Sequence, residues 1–363
     1  MDFFGLYIHI PFCRKKCPYC HFYVIHNTKR HQKIYLETLK KEWESKKNQI
    51  TSPITSIYFG GGTPSLFPEA AEKFLGWVRR DVLTLDPEIT FEANPEDISP
   101  HLLDQLALSG INRISLGVQS FDEEELLTLG RTKKRPLIEE IAKRFTNISI
   151  DLMYDIPHQS VRSFERTLTR ALDLPITHFS LYNLTIEPHT VFYKTKPSQP
   201  SEKESLKMLE LAINMAEKKG FHRYEISAFA RKGYEARHNT LYWKGYPFLG
   251  FGPSAFSYMN GSRLRNYAHI LRYAKALKEK REPFDFSETL PFEKRQKELL
   301  AIELRLLKGV DLTLFQKRHG KVHASLQQSI EKLLDLGLLI QDKTLKLSHK
   351  GRLFYDTAMS YLI

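Results

Sequence analysis

The sequence predicts an α/β protein with a partial (β/α) barrel, followed by a small winged-helix-like module. Through the first half of the chain, short β-rich runs alternate with amphipathic helical patterns, which favours a parallel sheet. Five or six such units suit a full or partial barrel, and an open doubly wound sheet is the alternative. From about residue 284 the pattern changes to helices, a hairpin-like run and a final helix, which indicates a second module.

Each predicted strand of the barrel is an apolar or β-branched run. The six runs are GLYIHIPF (5–12), TSIYFGGG (55–62), EITFEANP (88–95), RISLGVQS (113–120), ISIDLMYDIP (148–157) and HFSLYNLTIEP (178–188). Helical patterns between them include 34–47, 68–82 and 161–174. A helix over 202–219 and an irregular, aromatic-rich stretch over 221–267 follow. We therefore predict a barrel domain over 1–283 and a winged-helix-like module over 284–363.

The composition is that of an ordinary globular protein. The chain has 363 residues, of which 42% are apolar and 26% charged, enough for a large core. No apolar run is long enough for a spanning helix, and the first residues predict a strand instead of a signal peptide, so we expect a cytoplasmic location. The formal net charge is +12, but the basic residues are scattered and no nucleic-acid motif is present. A solvated basic surface is therefore favoured.

All three cysteines of the chain lie close together, as Cys13, Cys17 and Cys20 in the spacing CxxxCxxC. Three thiols cannot all pair as disulfides, which suits a reducing compartment. Thiolates are ligands for iron–sulfur clusters, zinc or copper(I), and a zinc site could take His21 or His26 as its fourth ligand. Three thiolates on a four-iron cluster leave one iron open for a chelating cofactor, and we favour this interpretation.

Polar side chains lie at or near the ends of several predicted strands. Glu92 ends the third strand, Gln119 ends the fourth and Asp151 lies within the fifth. The glycine-rich segment 60–65 ends the second strand, and glycine lets the backbone approach a ligand closely. Since the carboxyl ends of barrel strands meet at one mouth, a shared site is favoured over isolated caps.

The segment YIHIPFCRKKCPYC (7–20) resembles the radical S-adenosylmethionine (SAM) superfamily. Within it, the segment is similar to the oxygen-independent coproporphyrinogen III oxidase family and its sister group, the HemW-type haem chaperones, over roughly residues 5–360. The resemblance implies a [4Fe–4S] cluster on the three cysteines, with SAM on the open iron and cleavable to a 5′-deoxyadenosyl radical. The residues it implies in SAM contact are Gly61, Gly62, Thr63, Glu92, Gln119, Arg131 and Asp151, with Tyr7 and Tyr19 packed around cluster and cofactor.

Two features separate the sister groups. The oxidases carry a fourth cysteine, separated from the third by one residue, and a long amino-terminal extension. This chain has Phe22 at the position of that cysteine, and its cluster loop begins at residue 13. The hexapeptide HNTLYW (238–243) matches the HNxxYW motif of the haem chaperones. His238 is therefore the predicted haem-binding residue, with Tyr242 and Trp243 as flat apolar faces for a porphyrin. A core histidine with satisfied hydrogen bonds is the alternative.

At four positions this chain differs from the residues that are typical of the resembled family. Asp155 and His158 stand where glycines are typical, and His189 stands where glycine or asparagine is usual. Lys133 replaces a histidine. These departures leave the detail of the loops open, but they do not touch the cysteine motif.

The function favoured by the resemblance is a haem chaperone that passes haem to apo-haemoproteins, with the cluster and SAM in an assisting role. The second choice is an oxygen-independent coproporphyrinogen III oxidase, and the third is a protein whose cluster is only structural. Whether the protein is an enzyme is left open. The implied cofactors are the [4Fe–4S] cluster, SAM and haem. The implied partners are apo-haemoprotein recipients and an electron donor, with peripheral membrane association and a homodimer left open and no nucleic acid.

Overall fold

The computed structural model describes residues 3–82 and 84–363. Its strands are β1 (Phe4–Ile10), β2 (Phe12–Cys13), β3 (Ile25–His26), β4 (Ile54–Gly61), β5 (Thr84–Ala93), β6 (Arg113–Gln119), β7 (Asn147–Tyr154), β8 (His178–Asn183), β9 (His222–Glu225), β10 (Ala228–Ala230), β11 (Phe248–Phe251), β12 (Phe256–Met259), β13 (Ser262–Asn266), β14 (Phe284–Thr289), β15 (Leu339–Gln341) and β16 (Leu345–Leu347).

The α-helices of the same residues are α1 (Lys29–Lys46), α2 (Pro68–Asp81), α3 (Pro100–Leu108), α4 (Glu123–Thr128), α5 (Ile138–Ala142), α6 (Val161–Leu172), α7 (Val191–Thr195), α8 (Glu202–Lys218), α9 (Arg237–Trp243), α10 (Ile270–Lys278), α11 (Phe292–Glu303), α12 (Leu312–His319), α13 (Ala324–Asp335), α14 (His349–Leu353) and α15 (Tyr355–Ser360). Single 3₁₀ turns lie at Lys47–Gln49, Pro64–Leu66 and Pro95–Asp97. None of these helices is long and apolar enough to cross a bilayer.

Six parallel strands form the centre of the main sheet, in the order β1-β4-β5-β6-β7-β8. They are the six predicted strands, and their order follows the chain without the reversal that defines a doubly wound sheet. The two edges of the sheet do not pair with each other within the described residues. The prediction of an α/β fold with a partial barrel is therefore confirmed.

The stretch 221–267, expected to be irregular, is largely regular structure, so that expectation was wrong. It contains β9 to β13 and α9. The strands β10 and β9 extend the sheet beyond β8, while β11 pairs in parallel with β1 and leads into the antiparallel β12, β13 and β14. The five strands within the stretch have only three to five residues each, too few for a period-two pattern to be visible in sequence.

Strand β4 shows how the two faces of the sheet differ in the side chains that they carry. Phe59 points to the helical layer and packs edge-on against Phe74 of α2, with ring centroids 6.1 Å apart. Ser56 and Tyr58 point to the opposite, inner face, because side chains alternate along a strand. Ser56 and Tyr58 both contact groups from other elements there, so the inner face carries polar and aromatic side chains.

The carboxyl-terminal part has a buried apolar cluster of its own, which includes Leu300, Leu326, Leu333, Leu345 and Leu347. The helices α11, α12 and α13 and the β15–β16 hairpin supply it, in the predicted order of helices and then hairpin. The predicted final helix is split into α14 and α15.

Three loop positions where the resembled family has glycine, or glycine or asparagine at the position of His189, adopt left-handed backbone conformations. Their φ angles are 62° at Asp155, 65° at His158 and 66° at His189. A left-handed conformation costs a residue with a Cβ roughly 1–2 kcal/mol, whereas glycine adopts it freely. The family's glycines at these positions therefore have a physical reason, and this chain keeps the same backbone conformation with larger residues.

Candidate functional site

The three cysteines lie on the loop that follows β1. The backbone N–H of Cys20 donates to the carbonyl of Cys17 at 3.1 Å, and the Thr63 hydroxyl lies 3.4 Å from the Cys13 sulfur. All three are free thiols and half-buried. Burial raises the pKa of the Cys13 and Cys20 thiols, so they are neutral until a metal displaces their protons.

The zinc alternative finds no support in this arrangement. Among residues 3–82 and 84–363, no three His, Cys, Asp or Glu side chains are grouped as ligands of a single metal ion. His21 and His26 are both exposed. A zinc site gathers four ligands around one ion, whereas a four-iron cluster spreads its thiolates over several metal atoms.

A cavity of about 610 Å³ opens beside the cysteine loop at the carboxyl ends of the parallel strands. This volume falls within the roughly 300–1,000 Å³ of small-molecule sites. The predicted site residues that line it are Cys13, Cys17, Tyr19, Cys20, Gly61, Gly62, Thr63, Glu92, Gln119, Arg131 and Asp151. Tyr7 and His238 are not among the lining residues. The structure thus brings eleven of the thirteen predicted residues together around one space.

The glycine-rich segment fixes the cysteine loop against the end of β4. The N–H of Gly62 donates to the Ile10 carbonyl at 2.9 Å, and that of Thr63 donates to the Phe12 carbonyl at 2.7 Å. A Cβ added at Gly62 would lie 2.7 Å from the Phe12 carbonyl oxygen and 2.8 Å from the Pro11 carbonyl carbon. Because the blocking atoms are backbone, this close approach requires glycine.

The variant Gly62→Ala should therefore push the cysteine loop away from β4. We expect a loss of roughly 1–3 kcal/mol in the free energy of unfolding, typical of overpacking, together with less iron per chain after reconstitution. Urea denaturation and iron analysis measure the two effects. Gly76→Ala is the control, since a Cβ at Gly76 in α2 meets no atom within 4 Å, and it should stabilise by about 0.5–1 kcal/mol. Equal behaviour of both variants would contradict the role given to Gly62.

Two half-buried carboxyl groups, those of Glu92 and Asp151, face the cavity. Glu92 accepts from the Tyr58 hydroxyl at 2.6 Å and from the Gly61 N–H at 3.2 Å. Burial raises the pKa of Glu92 to about 7; the Tyr58 hydrogen bond opposes this shift and Asp151 adds to it. Burial likewise raises the pKa of Asp151 to about 6. Carboxyl groups of this kind accept hydrogen bonds from an ammonium group or from ribose hydroxyls.

Arg131 brings a positive charge to the same cavity. Its guanidinium donates to the Asn94 side-chain oxygen at 2.9 Å and to the Gly117 carbonyl at 3.4 Å, while its Nε is buried and has no partner. Gln119, 8% exposed, has a φ angle of 69°. Strained backbone at a non-glycine residue is often found at ligand sites. The guanidinium thus places a positive charge beside the cavity, which favours an anionic group of a ligand.

The two predicted tyrosines occupy different places. Tyr19 lines the cavity and packs against Phe192, with ring centroids 6.5 Å apart. Tyr7 lies one layer below the cavity, where its ring stacks on Tyr58 at 6.2 Å and its hydroxyl is 3.0 Å from Nδ1 of His9. Tyr7 therefore supports the cavity from beneath.

His238 lies on α9 and is 1% exposed. Its Nδ1 is 2.9 Å from the Ser56 hydroxyl and its Nε2 is 2.7 Å from the Tyr242 hydroxyl. Burial lowers its pKa to about 3, so the ring is neutral. Both ring nitrogens are therefore engaged in hydrogen bonds, as expected for the alternative interpretation of His238 as a core histidine. Haem ligation by His238 requires release of this ring and stays a prediction.

The prediction from sequence missed several residues of the cavity. Asn94 and Ser115 line it, and Tyr182 stands at its open side. A period-two reading would have found Asn94, two residues after Glu92, and Ser115 on the same strand face as Gly117. Tyr58 supports the cavity through its hydrogen bond to Glu92. In the sequence, only the alternation of side chains along its strand indicates that it faces this side.

The fold and this site define a radical SAM protein. Residues 7–171 match the radical SAM superfamily, and residues 290–354 match the HemN C-terminal domain. The structure of the coproporphyrinogen III oxidase HemN from Escherichia coli, described as a radical SAM enzyme, superposes with a TM-score of 0.86 at 24% identity. The match covers 99% of this chain and 89% of that one, and it shows a shared fold.

Two relatives that match over nearly their full length identify the family within the radical SAM class. The haem chaperone HemW of Bacillus subtilis (strain 168) is 34% identical and covers 96% of this chain and 96% of its own length. The haem chaperone HemW of Lactococcus lactis subsp. lactis (strain IL1403) is 33% identical, over 93% of this chain and 91% of its own. The chain therefore belongs to the HemW family, whose radical SAM fold uses a [4Fe–4S] cluster and SAM.

The residues around the cavity fit both of these cofactors. Three thiols on one loop provide soft ligands for the cluster and leave one iron without a protein ligand. The two carboxyl groups, the glycine-rich backbone and the guanidinium of Arg131 match the charges of an amino acid and the hydroxyls of a ribose. When bound, the cluster would supply an electron to SAM, which is the chemistry that radical SAM proteins share.

Proposed function

We propose that the protein is a haem chaperone that binds haem, a [4Fe–4S] cluster and SAM, and delivers haem to apo-haemoproteins. The observation that carries this proposal is the near-full-length similarity to relatives that bear the name haem chaperone. Supporting it, Phe22 stands where the resembled oxidases have a fourth cysteine. It is 53% exposed at the cavity mouth.

In this proposal the cluster binds to Cys13, Cys17 and Cys20. Gly61, Gly62 and Thr63 hold the amino-acid end of SAM, because their backbone lies beside the cluster loop. The remaining SAM contacts come from the side chains around the cavity, Tyr19, Glu92, Gln119, Arg131 and Asp151. The chain's own residues thus orient the cofactor and cover it with Tyr19. They also raise the pKa values of Glu92 and Asp151 to about 7 and about 6, close to neutral pH.

The mouth of the cavity suits a flat, anionic ligand. Phe22 and Tyr182 expose aromatic faces there, and Lys15 and Lys16 are exposed cations beside them. Aromatic faces pack on a porphyrin ring, and cations attract its propionates. Haem held at the mouth reaches His238 only after that ring has left Ser56 and Tyr242. His238 remains the proposed axial ligand.

The remaining parts of the proposal concern organisation and partners. We propose a division into a barrel domain over 1–283 and a winged-helix-like module over 284–363, supported by the two separate apolar clusters. The first strand of this module, β14, pairs with β13 of the main sheet. An electron donor is needed to reduce the cluster. A cytoplasmic location, peripheral contact with a membrane and a homodimer belong to the proposal as expectations.

Two assays on the reconstituted protein test the proposed function. Haemin should bind stoichiometrically with a shift of the Soret band, and His238→Ala should weaken that binding about tenfold, since an axial ligand is lost. His26→Ala is the control, because His26 is exposed and does not line the cavity. Coproporphyrinogen III with SAM and a reductant should give no protoporphyrinogen. Clear turnover, or haemin that causes no Soret shift, would contradict the chaperone assignment.

A further inference from the structure

Three rings are stacked beneath the cavity on the inner face of the sheet. The Tyr58 ring packs on both of the others: its centroid is 6.2 Å from that of Tyr7 with 28° between the planes, and 5.1 Å from that of His238 with 25° between the planes. Tyr7 comes from β1, Tyr58 from β4 and His238 from α9. The stack therefore links the HNxxYW segment to two strands whose carboxyl ends border the cysteine loop.

Tyr58 connects this stack to the cavity. Its hydroxyl donates to Oε1 of Glu92 at 2.6 Å, while the other oxygen of Glu92 accepts from the Gly61 N–H at 3.2 Å. A Cβ at Gly60 would lie 2.8 Å from the Tyr58 ring and 3.0 Å from the Glu92 carboxyl. The ring and the carboxyl are therefore packed closely over Gly60, and a shift of the ring moves the carboxyl.

His238 is held firmly on the far side of Tyr58. Ser56 and Tyr242 bond its two ring nitrogens at 2.9 and 2.7 Å. The buried carboxylate of Glu88 accepts from the backbone N–H groups of Arg237 and His238, each at 3.1 Å, and so ties the start of α9 to β5. While these bonds are in place, a ring held at both nitrogens and through its backbone resists displacement by Tyr58.

We propose that His238 is a positioning residue for the cofactor cavity, which holds Tyr58 and through it the Glu92 carboxyl in the orientation that binds SAM. The inference rests on the proposed place of SAM beside Glu92. It assigns to the HNxxYW segment an effect on SAM binding that needs no haem contact. His238 touches no ligand in this role and acts only through Tyr58.

The chain offers a matched control for a variant at His238. His178 is also buried, with Nδ1 2.8 Å from the Ser149 hydroxyl and Nε2 3.0 Å from the Tyr224 hydroxyl. The pattern of one serine and one tyrosine is the same, but His178 does not line the cavity and has no stacked contact with Tyr58. His178→Ala therefore reproduces the loss of a buried, bonded ring without the proposed link to Glu92.

The test measures SAM affinity on the anaerobically reconstituted full chain, by equilibrium dialysis with labelled SAM and by EPR of the reduced cluster. Tyr58→Phe, which removes one hydroxyl and no ring, should weaken SAM binding about tenfold. His238→Ala should weaken it several-fold, and His238→Phe, which keeps a stacked ring, should recover part of the loss. Iron content should stay at the level of the unaltered protein in all three variants.

The outcomes separate this inference from the proposed function. SAM affinity and EPR signals unchanged in Tyr58→Phe and His238→Ala would overturn the positioning role, even if haemin binding fell. Equal weakening in His178→Ala would also overturn it, since a general loss of packing would then explain the effect. Failure of the unaltered, iron-loaded protein to bind SAM would refute the proposed site and this inference together.

Discussion

Cys17→Ser should abolish assembly of the cluster. The chain has three cysteines in all, and each lies on the one loop beside the cavity, so no other thiol can replace a missing one. Serine oxygen is a hard ligand and a poor substitute for thiolate on a cluster iron. We expect iron and sulfide to fall from about four per chain to near zero after reconstitution, with the visible absorption of the cluster lost.

Lys15→Ala is the matched control for the cysteine variant. Lys15 lies on the same loop, is exposed and offers no thiolate. Its removal should leave iron and sulfide content unchanged. A Cys17→Ser protein that still assembled a full cluster and responded to SAM would show that the cluster is held elsewhere.

Glu92→Gln should make the protein without cofactors more stable at alkaline pH and should weaken its binding of SAM. The pKa of Glu92 is raised from its ordinary 4.5 to about 7 by burial, so the folded protein keeps a proton that the unfolded chain releases. Stability therefore falls as pH rises from about 4.5 to about 7 and stays lowered above that window. The shift corresponds to about 3 kcal/mol at pH near 8.

Glutamine removes this ionisation while it keeps the size of the side chain. Urea denaturation at acid and at alkaline pH should show a gain of about 3 kcal/mol over the original protein near pH 8, and little gain near pH 4. SAM affinity should fall at the same time, because a neutral amide replaces the carboxylate. An unchanged pH dependence of stability would contradict the raised pKa of Glu92.

The local parts of the site could be predicted from sequence. The cysteine loop, the glycine-rich segment and Glu92 each combine a residue type with a position at or near the end of a strand. Parallel strands then bring those ends together whatever the detail of the loops, and Asp151, which lies within its strand, faces the same cavity. The parts of the site that depend on residue type and on position along a strand could therefore be predicted from the sequence.

The parts that depend on contacts between distant residues could not be predicted. The HNxxYW segment shows a histidine and two aromatics, but it does not show which side of the sheet they face. The enclosure of His238 depends on Ser56, which is 182 positions away in the chain. The short edge strands of 221–267 were missed for a related reason, because their pairing partners, and not their own patterns, make them strands.

The most direct test of the central claim is EPR spectroscopy of the protein reconstituted with iron and sulfide without oxygen, then reduced, before and after addition of SAM. A cluster with three thiolates and one free iron should give a reduced [4Fe–4S] signal that changes when SAM binds. A preparation that takes up zinc in place of iron, or a signal that SAM leaves unchanged, would contradict the account.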